Sequence, residues 1–131
     1  MNSIYDLINL HNKDIEKEIR NALKSVKESL MNLEKYQTCK IYASYIFDYL
    51  KVNHITCNMV STGKDLGYSY DHFFVYVPKD EDNQYIIDPT YIQFGKVPEF
   101  EKLYTNGYML LNNEEYKDYL SYIENIKSRH K

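Results

Sequence analysis

Three residues of this 131-residue chain, Cys39, His72 and Asp88, are of the types that together carry out cysteine-dependent acyl transfer. In that chemistry a thiolate attacks a carbonyl carbon, an imidazole moves the proton, and a carboxylate orients the imidazole. The three residues fall at the start of a predicted helix, at the start of a predicted strand and at the end of the next predicted strand. The sequence therefore predicts a catalytic triad.

The position of Cys39 favours a reactive thiol. Thr38 is a predicted helix cap, and an apolar helix is predicted from Cys39 to about Lys51. The unpaired N–H groups and the dipole at a helix N-terminus lower the pKa of a thiol there. The alternative is a buried structural cysteine, and this is our interpretation of Cys57, which falls inside a predicted strand at Ile55–Val60.

A predicted hairpin brings His72 and Asp88 together. Strands are predicted at Tyr70–Val77 and Gln84–Ile87, with a charged turn between them. If these strands pair, Asp88 falls beside the start of the first strand, where its carboxylate can accept the imidazole N–H and stabilise the imidazolium. Taken singly, the two residues have plainer alternatives: a histidine at a strand end, and an Asp-Pro turn.

Acyl transfer also needs hydrogen-bond donors for the oxyanion. The backbone N–H of Cys39 and the side chain of Gln37 are the candidate donors. Metal binding is the main competing chemistry, because Cys, His and Asp are each zinc ligands. The chain has no CxxC, HxxxH or HxxE spacing and no glycine-rich phosphate loop, so neither a metal nor a cofactor is expected.

The remaining elements fit an α+β domain over residues 1–131, in which helices precede a small antiparallel sheet and a helix follows it. The clearest periodic signal is an amphipathic helix over about residues 13–34. Residues 96–111 give no clear pattern. The other predicted elements are a short helix from Ser3, a loop at Ser61–Gly67, a short strand at Tyr91–Phe94 and a last helix from Asn112 or Asn113 to about Ile126. The apolar face of that last helix is predicted to consist of Tyr116, Leu120 and Ile123. The helix that begins at Cys39 carries apolar residues in more than one stripe, which predicts a buried central helix.

Composition narrows the functional classes. A net charge of −3 argues against a general nucleic-acid binder, and no apolar run is long enough for a transmembrane helix. The first residues lack the pattern of a classical signal peptide, and two cysteines do not make a disulfide framework. We therefore expect a cytoplasmic protein, or one secreted without a classical signal peptide into a host cytosol.

The segments TCKIYASYIFDYL, DHFFVYV and YIIDPTY together resemble the papain-like and transglutaminase-like cysteine enzymes over about residues 36–94. The His-to-Asp spacing is similar to that of bacterial protein glutamine deamidase effectors. The resemblance implies a minimal papain-like fold, with Cys39 as nucleophile, His72 as base and Asp88 as orienting group. Lys40 stands where transglutaminases usually have Trp, which leaves the branch of the superfamily open.

The resemblance implies a cysteine-dependent hydrolase or acyl transferase that acts on a protein or peptide amide through a thioester. The expected substrate is the side chain of a protein glutamine. The alternatives are a cysteine protease of the same fold, a non-catalytic papain-like interaction or adaptor protein, and one part of a larger complex that completes the site. No nucleic-acid or membrane partner is expected, and the oligomeric state is open.

Overall fold

A computed structural model describes residues 15–30, 39–91 and 97–125, and within them the chain is α+β, as predicted. The elements in chain order are α1 (Ile15–Ser29), α2 (Cys39–Val52), β1 (Asn58–Ser61), α3 (Thr62–Leu66), β2 (Phe73–Pro78), β3 (Asn83–Ile87), a 3-10 turn (Pro98–Phe100), α4 (Glu101–Asn106), β4 (Tyr108–Asn112) and α5 (Asn113–Glu124). None of the described helices is long and apolar enough to cross a membrane.

The four strands form an antiparallel meander in the order β1-β2-β3-β4. The predicted hairpin between β2 and β3 is confirmed, with Pro78 opposite Gln84 at the turn end and Val75 opposite Ile87 at the other end. One further residue along this register, Asp88 lies near the start of β2. Side chains alternate between the two faces of the sheet along each strand.

The sheet is buried on both faces, so the described residues form three layers. Odd-numbered residues of β2 and β3, such as Val75 and Ile87, pack with α1 and α2. Even-numbered residues, such as Phe74 and Ile86, pack in a second core with the 3-10 turn, α4 and α5. The end of the β2–β3 hairpin therefore lies between two separate cores.

The two N-terminal helices each bury one stripe. In α1 the buried residues are Ile19, Ala22 and Val26, at steps of three and four. In α2 they are Ala43, Ile46 and Leu50. Around this stripe Tyr42, Tyr45 and Tyr49 are half-buried against the same core, whereas Ile41 is 46% exposed, so the predicted burial of α2 is confirmed for part of its surface. Its predicted bounds are confirmed to within one residue at the C-terminal end. The predicted helix from Ser3 and the predicted extension of α1 beyond Leu30 lie outside the described residues.

The predicted loop at Ser61–Gly67 contains a short helix, α3. The Ser61 hydroxyl accepts the backbone N–H of Lys64, and Gly67 ends the helix at a φ of +73°. Ser, Thr, Asp and Gly are common both in loops and at helix caps, so composition alone did not separate the two. The strand before α3 is also shorter than predicted, beginning at Asn58 rather than Ile55.

Two further differences lie after β3. Of the predicted strand at Tyr91–Phe94 only Tyr91 is described. It lies in a turn, with its N–H donated to the Asp88 carbonyl at 3.2 Å, and the rest of that segment lies outside the described residues. The unassigned region holds α4 and a fourth strand, β4, which pairs with β3 along its length. The last helix is confirmed, with Asn112 as its N-cap in a capping box with Glu115.

Candidate active site

The structure brings His72 and Asp88 into direct contact. Nε2 of His72 lies 2.7 Å from Oδ2 of Asp88, and both side chains are completely buried. His72 immediately precedes β2 and Asp88 immediately follows β3. Both are even-numbered, so they extend the face of the hairpin that packs on α5. The contact follows from the hairpin register, as the sequence predicted.

Cys39 is the first residue of α2 and is half-buried beside the same histidine. Its thiol interacts with the His72 imidazole through a hydrogen bond and through charge. Because Nε2 is directed to Asp88, Nδ1 is the ring nitrogen available to the thiol. The ring is thus used in the opposite sense to the serine-protease triad, in which Nδ1 faces the carboxylate.

Electrostatics favour a thiolate–imidazolium pair at this site. Burial is the largest influence on Cys39 and opposes ionisation, but the hydrogen bond and charge of His72, with the backbone of Phe73, outweigh it and lower the pKa of the thiol. Burial also opposes protonation of His72, yet the charge and hydrogen bond of Asp88, followed by those of Cys39, raise the pKa of His72 to about 9. The ion pair is therefore favoured from the lowered pKa of Cys39 up to about pH 9.

Thr62, the first residue of α3, holds the backbone of His72 in place. The His72 carbonyl accepts the Thr62 N–H at 2.9 Å, and the His72 N–H is donated to the Thr62 hydroxyl oxygen at 2.7 Å. That hydroxyl in turn donates to the carbonyl of Tyr70 at 2.6 Å. The helix that sequence analysis interpreted as a loop therefore fixes the peptide from which the imidazole projects.

Tyr119 is a member of the site that sequence reasoning missed. Its hydroxyl donates to Oδ2 of Asp88 at 2.6 Å, and the residue is completely buried in α5. The apolar face that the sequence predicts for this helix consists of Tyr116, Leu120 and Ile123 and does not include Tyr119. A signal was present, since Tyr116, Tyr119 and Ile123 also follow steps of three and four, and only Tyr119 and Ile123 are fully buried.

Other residues singled out from the sequence fall as follows. Gln37, the candidate oxyanion donor, lies outside the described residues. The Cys39 N–H lies in the first turn of α2, so it remains a candidate oxyanion donor. Cys57 is a core residue as interpreted, although it precedes β1, and burial raises the pKa of its thiol to about 11. Asp71, exposed beside His72, accepts the Ser61 hydroxyl and the Gly63 N–H.

Cys39, His72 and Asp88 do not converge on one point as metal ligands would. Asp88 contacts Nε2 of His72, and the thiol interacts with another part of the same ring. The ligands of a zinc ion, in contrast, surround a single point. Among residues 15–30, 39–91 and 97–125, no group of three or more His, Cys, Asp or Glu side chains is arranged to hold a metal ion.

Comparisons of the chain with protein-family models, with curated proteins and with solved structures find no match. No relative therefore assigns a role to Cys39, His72 or Asp88. The basis for the chemistry of the site is its geometry: a half-buried thiol lies beside a buried imidazole, and the imidazole contacts a buried carboxylate.

Proposed function

We propose that this protein is a cysteine-dependent amide hydrolase or acyl transferase, with Cys39 as nucleophile, His72 as general base and Asp88 as the group that orients and stabilises the imidazolium. The observation that carries the proposal is the fully buried 2.7 Å contact between His72 and Asp88 at the start of the helix that bears Cys39. Burying a charged pair costs several kcal/mol in desolvation. A pair with no chemical task is more simply replaced by apolar residues.

The proposed reaction needs only groups present at the site. The Cys39 thiolate attacks the carbonyl carbon of an amide, forming a C–S bond, and the first-turn N–H of α2 donates to the oxyanion. The C–N bond then breaks, and the leaving nitrogen takes the proton from the His72 imidazolium. A water molecule, deprotonated by His72, attacks the thioester, the C–S bond breaks, and the thiol is restored.

As substrate we propose the carboxamide of a protein glutamine, released as ammonia with glutamate as product. The support is the order of elements, since α2 begins with Cys39, β2 follows His72 and β3 ends before Asp88. The glutamine deamidases that the sequence resembles have the same order. On that basis we propose a minimal papain-like or transglutaminase-like core made of α2 and the four strands. The half-buried thiol and the exposed Lys40 and Ile41 suit a site that takes a side chain from another protein.

The test is to incubate the chain with blocked glutaminyl peptides and glutamine-containing proteins and to measure released ammonia, with Cys39→Ala as the matched control. We expect release by the wild type alone, and a thioester trapped by hydroxylamine as a hydroxamate. Transfer to an added primary amine would instead identify a transglutaminase. Peptide-bond cleavage would identify a protease. No product from any amide, together with an unreactive Cys39, would overturn the proposal in favour of a non-catalytic interaction protein.

A further inference from the structure

We infer that Tyr119 is a positioning residue of this site, whose hydroxyl holds the Asp88 carboxylate in the orientation that contacts His72. The inference rests on the proposed function and adds a fourth residue to it. Its basis is one oxygen atom: Oδ2 of Asp88 accepts both the Tyr119 hydroxyl at 2.6 Å and the His72 imidazole at 2.7 Å. Tyr119 thus acts on the imidazole through Asp88 and not by direct contact.

A buried carboxylate needs such a donor. Removal from water favours the neutral acid, whereas hydrogen bonds to the carboxylate favour the anion. Among the described residues, Oδ1 of Asp88 accepts the Thr90 hydroxyl at a longer 3.3 Å, so the shorter donations there fall on Oδ2. Burial, followed by the charge of Asp88, raises the pKa of Tyr119 well above its ordinary value, so its hydroxyl stays protonated and donates throughout the working pH range.

The position of the hydroxyl is itself fixed by aromatic packing. The Tyr119 ring lies edge-on to Phe74, with centroids 5.1 Å apart, and also contacts Tyr91 at 5.7 Å and Phe100 at 6.1 Å. Phe74 is two residues from His72 on the same face of β2, and the two rings stack at 6.4 Å. A hydroxyl held on so many sides can fix the rotamer of the carboxylate that it binds.

Tyr119→Phe keeps the ring and removes only the donor. Without it the Asp88 carboxylate is freer to turn away from the imidazole, so its contact with His72 weakens, and we expect the pKa of His72 to fall and that of Cys39 to rise. The pH range of the ion pair then narrows from both ends. A hydrogen bond to a charged group is worth about one pKa unit or more, so each titration should move by up to about one unit. At pH values below the pKa of the thiol, alkylation of Cys39 should then slow by up to about tenfold.

A purely packing role for Tyr119 would leave both pKa values unchanged, which gives the test its discriminating readout. The rate of Cys39 alkylation by iodoacetamide is measured against pH in a Cys57→Ala background, and His72 is titrated by NMR. The control is Tyr116→Phe, which removes a hydroxyl three residues earlier in α5. Tyr116 stacks on Tyr119 at 6.3 Å but the Asp88 contacts do not include it. Circular dichroism and thermal melting establish that each variant folds.

We expect Tyr119→Phe to shift both titrations and Tyr116→Phe to shift neither. In an Asp88→Asn background, where the charge is gone, Tyr119→Phe should have no further effect. The inference would be overturned if the titrations of Tyr119→Phe matched those of Tyr116→Phe. The proposed function would still stand if His72→Ala nevertheless abolished the lowering of the Cys39 pKa. If His72→Ala also changes nothing, both fall. The hydroxyl proton of Tyr119 in the unsubstituted chain gives a readout that needs no variant: it should shift as His72 titrates, and a proton insensitive to that titration would refute the inference.

Discussion

Asp88→Asn is the substitution that isolates the charge of the buried carboxylate. Both close donors, from His72 and Tyr119, meet the same oxygen, Oδ2. An asparagine can place its carbonyl oxygen there and accept both, while its NH₂ group points to the hydroxyl of Thr90 on the other side. The hydrogen bonds and the side-chain volume are retained, so we expect the variant to fold and to lose the negative charge alone.

The expected effect follows from the balance of forces on the imidazole. Burial lowers the pKa of His72, and Asp88 is the first of the groups that raise it to about 9. Without that charge the pKa should fall below the ordinary value of 6.5, and His72 is neutral at pH 7. No cation then supports the thiolate, and burial returns the pKa of Cys39 to 9.0 or above. A thiol of that pKa is about 1% ionised at pH 7, so alkylation at that pH should slow by up to about a hundredfold.

The measurement is the pH dependence of iodoacetamide alkylation at Cys39, with Cys57→Ala in both chains. The wild-type rate should rise at the lowered pKa of Cys39, form a plateau, and change again near pH 9 as His72 loses its proton. The Asp88→Asn profile should show one ordinary thiol titration. A variant profile that keeps the wild-type thiol pKa would refute the reasoning, because the charge of Asp88 would then contribute nothing to the thiolate. Loss of folding is checked independently by circular dichroism.

Three further expectations concern the support of the site. Gly107→Ala places a Cβ 3.1 Å from Leu23 at a φ of +84°, so the free energy of unfolding in urea should fall by about 1–2 kcal/mol. The control is Gly67→Ala, which has a similar backbone strain at a φ of +73° but no atom within 4 Å of its Cβ, so it separates strain from crowding. Thr62→Val leaves the buried N–H of His72 without its acceptor, so the free energy of unfolding in urea titrations should fall by about 1–3 kcal/mol. Thr62→Ser keeps the hydroxyl and should lose much less. Equal losses in the two variants would contradict this. In a Cys39→Ala chain Asp88 still raises the pKa of His72, so the folded protein binds the His72 proton more tightly than the unfolded chain. The free energy of unfolding should therefore fall as pH rises from 6.5 to the folded pKa of His72, which without Cys39 lies below about 9. A flat profile, or the same slope with Asp88→Asn added, would contradict this.

The part of the site that lies in the hairpin was predictable from the sequence. His72 and Asp88 are 16 residues apart, and the strands between them carry the alternation and the charged turn of a two-stranded unit. A hairpin register is a local property, because the turn fixes which residues oppose each other. The position of Cys39 was likewise predictable, since the boundary of an apolar helix is marked within a few residues of its start.

The missed parts depend on contacts between distant segments. Pro98 and Gly107 interrupt any periodic pattern, so β4 is a strand because it pairs with β3 and not because of its own composition. Tyr119 contacts a carboxylate 31 residues away. The sequence predicts a neighbouring apolar face for α5. Only the packing of this helix on the sheet shows which of the two adjacent stripes is buried.

The site joins the two cores of the molecule at the open end of one hairpin. Cys39 enters from the layer of α1 and α2, and Tyr119 enters from the layer of α5. His72 and Asp88 lie between them at the end of the sheet, each held by a backbone contact of its own, to Thr62 and to the carbonyl of Gly107 at 2.8 Å. The position of the thiol relative to the imidazole therefore depends on one core, whereas the orientation of the carboxylate depends on the other. A change confined to α5 should consequently alter the proton affinity of His72 before it alters the helix that carries Cys39, which separates the acid–base part of the site from its nucleophile.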